Sequence, residues 1–422
     1  MLSISRIREN PDAVQQAIAA KGEQINLKNL LELDRQHRAI QTEVNDLRAE
    51  RNRVSEKIAA TKRSGGDDKE AIAAMRDVGD KIKALEEKSA GIDKEIQSAL
   101  EIIPNIPHTS VPIGTHEKDN VVVKEWGDKP VFDYDIKDHM ELGTNLNLLD
   151  FERAAKISGS AFPLYTGMGA KLERALINYM LDVHINEHGY TEIFPPFLTR
   201  GESPFTCSQL PKFADDMYHT EKDQLYLIPT AEVPVTNIHA DEILDEEVLP
   251  INYTAYSACF RREAGSYGKE TRGLLRVHQF NKVEMVKFVT PESSYDELED
   301  LLANAEAILQ ALGLHYRVLE LCTGDLSFSA AKCYDIEVWS PAEQQWLEVS
   351  SCSNFEDFQA RRGNIRYRRT SDNKTDYVHT LNGSGVATPR LMIALLESYQ
   401  TPDGKVIIPK CLQPYVGTEV LS

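Results

Sequence analysis

Cys259-Phe260-Arg261-Arg262-Glu263-Ala264-Gly265, followed by Thr271-Arg272-Gly273-Leu274-Leu275-Arg276-Val277-His278-Gln279-Phe280 and then Glu284, is the stretch on which the fold turns. A strand ends in charge, opens into a glycine-rich basic loop and returns as a second strand, the pattern of an antiparallel hairpin. Its inner face would carry Arg261, Glu263, Phe280 and Glu284. An arginine at a strand end can fork onto a phosphate or a carboxylate. A phenylalanine beside it can stack on a purine, and a glutamate can accept from an exocyclic amine. The competing reading is a surface hairpin whose charges compensate one another, so the decision rests on what else the chain carries.

Two further stretches point to a nucleotide. Leu347-Glu348-Val349-Ser350-Ser351 ends a strand in a carboxylate and hydroxyls, oxygen ligands suited to a Mg²⁺ that bridges phosphates. Leu381-Asn382-Gly383-Ser384-Gly385 reads as a glycine turn leading into a helix with Arg390 in its first turns, and amides at a helix start suit an anion. Other patterns fail their chemistry. His184 and His188 have metal-ligand spacing, but Glu187 does not directly follow the first histidine, so no zinc is expected. Gly167-x-Gly169 lacks a downstream Lys-Ser/Thr or third glycine, which excludes a P-loop and a dinucleotide fingerprint. No His-plus-acid set marks Ser384 as a nucleophile.

Around these stretches, strand and helix patterns mix irregularly. Strands are expected over 224–228, 253–261, 277–280, 283–289, 334–339, 346–350 and 377–382, with an amphipathic helix over 169–188. Tyr334, Ile336 and Val338 alternate with Asp335, Glu337 and Trp339, the period of an antiparallel strand. Regular strand–helix repetition is missing, which argues against a doubly wound sheet.

Residues 27–103 have a different character. They are proline-poor, and Leu33, His37, Ile40, Val44, Leu47, Arg51, Val54 and Ile58 recur four and three apart, as along a heptad seam. A second seam runs through Ile72, Met75, Gly79, Ile82, Leu85, Ser89, Ile92 and Ile96, and Ser64-Gly65-Gly66-Asp67-Asp68 between them breaks the helix. The expectation is a long antiparallel helical hairpin, each helix reaching roughly 50 Å. Arg35, Arg38, Arg48, Arg51, Arg53, Lys57, Lys62 and Arg63 lie on its first helix, whereas the second is rich in acid, so phosphate contacts from the first helix are plausible beside a plain dimerisation coil. Pro104 and Pro107 end the arm, a loop-rich stretch runs to Pro130, and domains are expected at 1–105 and 106–422.

With 47 basic and 66 acidic side chains the net charge is −19, so any polynucleotide must meet a local basic surface rather than a diffuse cationic one. No apolar run approaches the roughly 18 residues of a membrane span, and residues 1–10 carry no apolar signal core. The six cysteines form no Cys-x-x-Cys pair, which suits reduced thiols in a cytoplasmic protein.

These motifs together resemble the bacterial type of seryl-tRNA synthetase, a class II aminoacyl-tRNA synthetase, from end to end. Gly189-Tyr190-Thr191-Glu192-Ile193-Phe194-Pro195-Pro196 and the helix before it resemble motif 1, at the dimer interface of the class. The hairpin from Phe260 to Phe280 resembles motif 2, and Asn382 to Arg390 resembles motif 3. Pro229-Thr230-Ala231-Glu232, Thr323-Gly324-Asp325 and Glu348-Val349-Ser350-Ser351 resemble features of the serine family, and the helical hairpin resembles its tRNA-binding arm. Thr388-Pro389 before Arg390 and the large Arg262 depart from the common pattern. Proline is tolerated in a first helical turn, and Arg262 is expected to point away from the adenylate.

The resemblance implies an α+β fold: a six- or seven-stranded antiparallel class II synthetase-like sheet flanked by helices, preceded by the N-terminal coiled-coil arm. It implies a homodimer in which the arm of one subunit serves the other's active site. It implies that ATP and L-serine form seryl-adenylate, and that serine passes to the 3′ end of tRNA(Ser), and to tRNA(Sec) where that tRNA exists. By the same resemblance Arg261 and Arg390 are catalytic, with Arg261 on the α-phosphate and the serine carboxylate. Thr230, Ala231, Glu232, Glu284, Asn382 and Ser384 surround serine. Arg262, Glu263, Val277, Phe280, Glu348, Val349, Ser350, Ser351 and Arg390 hold ATP, the adenine stacking between Phe280 and Arg390. Glu348 and Ser351 bind Mg²⁺, and no zinc is expected. A catalytically silent scaffold descended from a synthetase would have lost Arg261, Glu348 or Arg390, all of which are present. A ligase that charges a carrier protein would lack the arm, and another class II specificity conflicts with Thr230-Ala231-Glu232 and Glu284.

Overall fold

The computed structural model describes residues 1–63, 69–263 and 272–422. The chain divides into two compact units, 1–19 with 23–104, and 20–22 with 105–422.

In the first unit, α1 (Ile4–Glu9) and α2 (Pro11–Ala20) precede two long helices, α3 (Lys28–Arg63) and α4 (Lys69–Glu101). Ser3 caps α1, its Oγ accepting the Arg6 N–H at 3.1 Å. Gln41 reaches Ser89 at 2.7 Å and Arg48 reaches Glu86 at 2.6 Å, so partners run in opposite order and the pair is antiparallel. The seam is real but shorter than its periodicity. Ile40, Val44, Ile82, Ile92 and Ile96 are buried, whereas Arg51 and Ile72 are exposed. The buried Asp34, which the heptad pattern does not mark, takes guanidinium N–H groups from Arg8 at 3.1 Å and Arg38 at 3.0 Å. The turn expected at 64–68 lies outside the described residues.

The second unit is built on an eight-stranded sheet. Its strands are β1 (Val121–Trp126), β2 (Thr191–Glu192), β3 (Ile251–Phe260), β4 (Gln279–Val289), β5 (Tyr316–Glu320), β6 (Lys332–Ser340), β7 (Gln345–Asn354) and β8 (His379–Ala387), in the order β1-β5-β6-β7-β8-β4-β3-β2. All neighbours are antiparallel except β2 and β3. Eight strands exceed the six or seven expected because β1 comes from the stretch read as loop and β2 has only two residues. Val121, Val122 and Val123 have β-branched side chains but stay exposed on this edge, so no alternation marks them.

One strand replaces the two expected over 277–280 and 283–289, since Asn281 and Lys282 interrupt the apolar pattern without interrupting the backbone ladder. The glycine turn expected at 383–385 is also strand. An added Cβ at Gly385 would meet His184 Nε2 at 2.5 Å, so glycine serves close packing there rather than a turn. The register against β4 slips only after Ser384, and Val386 takes φ +108° as the strand bends into the helix that follows.

Helices α5 (His139–Asn145), α6 (Gly167–Asn186), α7 (Ser294–Ala311) and α8 (Thr388–Ser398) also belong to this unit. Leu172, Leu176 and Met180 of α6, Leu298, Leu301 and Ile308 of α7, and Leu391 and Leu395 of α8 share one core with Val283, Met285, Tyr334, Ile336, Val338 and Leu381 of the sheet. Successive strand residues face opposite sides. The residues between these, Glu284 on β4, Asp335 on β6, and Asn382 and Ser384 on β8, therefore fall on the other face. Among the described residues, no helix is long and apolar enough to cross a membrane.

Candidate active site

That opposite face floors a cavity of about 520 Å³. Strands β4, β6, β7 and β8 supply its base, with Arg261 and Glu263 entering just beyond the end of β3; the 207–213 and 325–329 segments form one rim, and the 274–277 return with the start of α8 the other.

One end is a buried acid–base cluster. Ser384 lies directly across from Glu284 in the β8–β4 ladder. The fully buried Glu284 accepts from Thr230 Oγ1 at 3.0 Å and from Asn382 Nδ2 at 3.1 Å, and it pairs with Lys282. Thr230 Oγ1 in turn accepts the Glu232 N–H at 3.2 Å. Glu232 Oε1 takes Gln359 Nε2 at 2.7 Å, and Gln359 Oε1 takes the Thr380 hydroxyl at 2.8 Å, which fixes the amide's orientation. Burial, and then the Glu284 carboxylate, push the Glu232 carboxyl up to about 7. A small, tightly hydrogen-bonded pocket whose acid ionises near neutrality suits an ammonium beside a hydroxyl.

The other end is open and basic. Arg261 donates from Nε to the Pro229 carbonyl at 3.3 Å, and its guanidinium lies 5.1 Å from the Phe280 ring centre. The resemblance places Arg390 across from Phe280 with a base between them; in this structure the guanidinium over that ring is that of Arg261. Arg390 donates from Nε to Leu275 O at 3.1 Å and from Nη1 to Glu348 O at 2.9 Å. Glu263, at φ +50°, pairs with Arg276. Pro389 sits in the first turn of α8 without disturbing it.

Between the two ends lies an oxygen-rich patch. Asp335 faces Ser351 in the β6–β7 ladder, and both line the cavity with Glu348. Burial and the Glu348 carboxylate raise the Asp335 carboxyl well above the usual range. Two neighbouring carboxylates beside a hydroxyl make an oxygen donor set that a hard divalent cation fits.

Three expected residues do not reach the cavity. Ala231 is fully buried at the start of a short helix, Glu232–Thr236. Ser350 points to the far side of its strand, where its hydroxyl donates to Ser384 O at 2.6 Å, so it supports a lining residue from behind. Arg262 is exposed on the way into the loop, its N–H bonded to Asp216 O. Residues 264–271 of the hairpin loop lie outside the described residues.

Other lining residues escape a reading of the sequence. Lys282 has a signal, since it shares the face of Glu284 two residues on. Asp335 reads only as the polar half of an alternation. Cys207, Ser208, Phe213 and Ser327–Ser329 come from irregular segments with no periodicity to place them. Thr323-Gly324-Asp325 contributes only Asp325, which is held by Asn120 Nδ2 at 2.7 Å. His184 and His188 face each other, Nδ1 to Nδ1 at 3.0 Å, on the core side of the sheet.

The chain as a whole is similar to known proteins. Residues 211–399 match the model of the tRNA synthetase class II core domain (G, H, P, S and T), and residues 1–107 match the seryl-tRNA synthetase N-terminal domain. The serine–tRNA ligase of Chloroherpeton thalassium is 57% identical over 427 residues, covering 100% of both chains. That of Geobacter sulfurreducens is 54% identical over 418 residues, covering 99% of both. The crystal structure of seryl-tRNA synthetase from Pyrococcus horikoshii complexed with ATP superposes with a TM-score of 0.94 at 40% identity, over 100% of this chain and 99% of that one. The cytoplasmic serine–tRNA ligase from Naegleria fowleri in complex with AMP does so at 0.89 and 31%, with the same coverage.

Proposed function

The chain belongs to the seryl-tRNA synthetase family and is an ATP-dependent serine–tRNA ligase, and we propose that the cavity on the open face of its sheet is where seryl-adenylate forms. The observation that carries this assignment is the Thr230–Glu284–Asn382 cluster, which leaves one small pocket lined with hydrogen-bonding groups beside the basic end. In this reading Thr230 and Glu232 hold the serine ammonium, while Glu284 and Ser384 surround its hydroxyl. Arg261, at the basic end, orients the carboxylate against the α-phosphate.

The carboxylate oxygen attacks the α-phosphorus in line, the bond to the bridging oxygen breaks, and pyrophosphate leaves. No side chain becomes a nucleophile. Arg261 and Arg390 contribute by positioning and by neutralising developing charge. To stack on adenine, Phe280 must give up its contact with Arg261, and Glu263 must leave Arg276 to read the exocyclic amine. Glu348 and Ser351 would hold Mg²⁺, which supplies charge neutralisation on the phosphates. A ribose hydroxyl at the tRNA 3′ end then attacks the adenylate carbonyl, and AMP departs.

Specificity follows from desolvation. A pocket built to bond a hydroxyl leaves its groups unpaired when alanine binds, an argument made for other synthetases. Threonine is excluded by closure around its extra methyl.

The arm and the dimer complete the proposal. Arg48 is taken by Glu86, so phosphate contacts with tRNA(Ser), or with tRNA(Sec) where present, fall to the exposed Arg51, Arg53 and Lys57. Phe194, at 74% exposure within the motif 1 segment, is an apolar side chain that a second subunit would cover. All six cysteines are unpaired, consistent with a cytoplasmic setting.

Serine-dependent ATP–pyrophosphate exchange, measured beside threonine, alanine and glycine, tests the site. Exchange with serine far above the other three is expected. Comparable rates would overturn the assignment of the Thr230–Glu284–Ser384 pocket.

A further inference from the structure

We propose that His139 is a positioning residue for ATP: through Leu274 it sets the carbonyl that holds Arg390. The inference rests on the reading of Arg390 as a nucleotide residue. His139 opens α5, is fully buried and lies outside the cavity. Its Nε2 accepts the Leu274 N–H at 3.2 Å, so that nitrogen carries no proton. The ring proton is therefore on Nδ1, which donates to Glu397 Oε1 at 3.2 Å.

Glu397 is also fully buried and is saturated with donors. Its Oε1 takes the His139 N–H at 3.1 Å, and its Oε2 takes the Ser340 hydroxyl at 2.5 Å and the Ala342 N–H at 3.2 Å. The ligating atoms of His139, Glu343 and Glu397 lie within 4.8 Å of one another, a spacing that would suit a metal. The occupied Nε2 and the four donors on Glu397 leave no open coordination, so the cluster is a hydrogen-bonded brace.

What the brace holds gives it a role. The residue after Leu274 is Leu275, whose carbonyl accepts Arg390 Nε at 3.1 Å, and Arg276 beyond it pairs with Glu263. Arg390 and Glu397 sit near opposite ends of α8. The path Glu397–His139–Leu274–Leu275–Arg390 therefore closes a ring, fixing the first turn of that helix from outside as well as along its own axis. The neighbours agree with this arrangement. Asp138 takes Arg272 Nη2 at 2.7 Å, and Gly273 has φ +60° with no room for a side chain, since an added Cβ would stand 2.2 Å from His139 Nε2. The docking of this segment against the chain just beyond the C-terminal end of α8 does not depend on the imidazole. Lys137 N–H donates to Gln400 Oε1 at 2.8 Å, Gln400 Nε2 returns to Lys137 O at 2.9 Å, and Tyr134 Oη donates to Gln400 O at 2.5 Å.

The test is pyrophosphate exchange on the full-length enzyme, with ATP and serine titrated separately. His139→Ala should raise the KM for ATP about tenfold, as expected when one buried hydrogen bond is removed, and leave the KM for serine within about twofold. Gly273→Ala, which presses on the ring from the other side, should reproduce that split. His139→Gln should recover most of the deficit, because its Oε1 can accept the Leu274 N–H. Arg390→Ala is measured alongside. If it raises the KM for ATP while His139→Ala and Gly273→Ala move both constants together, or neither, this inference falls alone. If Arg390→Ala leaves the KM for ATP unchanged, the nucleotide reading falls and this inference with it.

Discussion

Lys282 and Glu284, two residues apart on one face of β4, form an ion pair in which each residue is more than nine-tenths buried. The pair stands in a strand whose intervening Val283 points into the hydrophobic core on the other side. It leaves the proposed serine pocket with one carboxylate, Glu284, paired with a cation and a second, Glu232, hydrogen-bonded to Gln359.

Removing the cation leaves a buried carboxylate without its partner, which is more costly than breaking an exposed pair. Lys282→Met is expected to lower folding stability by about 3 kcal/mol, measured by urea unfolding. Lys282→Met with Glu284→Gln should recover much of that stability, without recovering serine activation in the exchange assay. Equal stability of the single and double variants would contradict the pairing.

As the proposed ligand of the serine ammonium, Glu232 is expected to give the reaction a pH limb. Its folded-state pKa is raised to about 7, so it is protonated below that value and charged above it. Only the charged form attracts an ammonium. The specificity constant for serine should therefore rise with pH through about 7 and level off above about 8. In Glu232→Gln the constant should be lower and that limb absent. A wild-type profile that falls across this range would refute the role.

Hydroxyl recognition is separable from ammonium recognition. Glu284→Gln keeps the size of the side chain but removes the charge that accepts from Thr230 and Asn382. Discrimination between serine and alanine should shrink by roughly 1–3 kcal/mol, through a lower serine rate rather than a higher alanine rate. Exchange rates with both amino acids at matched concentrations report it.

On the arm, replacing Arg51, Arg53 and Lys57 together by alanine should weaken tRNA binding and flatten its salt dependence. Every phosphate that is no longer neutralised lowers the slope of log affinity against log salt by about 0.7 to 0.9. Binding titrations at several salt concentrations check this. An unchanged slope would place the tRNA-binding surface elsewhere.

The arm shows how far a local pattern reads. Ile40, Val44, Ile82 and Ile96 are legible because a seam of apolar residues repeats along a helix with a fixed period. Asp34 sits inside that unit and is not legible, because its burial is compensated by Arg8, 26 residues away in sequence. The same contrast holds at the site. Arg261 and Arg390 stand out as charged residues at a strand end and a helix start, and Glu284 and Glu348 as carboxylates between apolar strand residues. Ala231 and Ser350 stand beside such residues in sequence, yet a single step along the backbone turns a side chain away from the cavity.

Short-range periodicity and spacing sufficed for the helical hairpin, most of the strands and the motifs, and the antiparallel sheet with its flanking helices followed from the family resemblance those motifs carry. The pairing of Lys282 with Glu284, of Arg276 with Glu263, and of His139 with Leu274 and Glu397 is fixed by the folded core alone. These pairings depend on which polar groups lose water together. A buried donor or acceptor must find whatever partner the assembled core brings within about 3 Å, and its sequence neighbours do not say which one that will be.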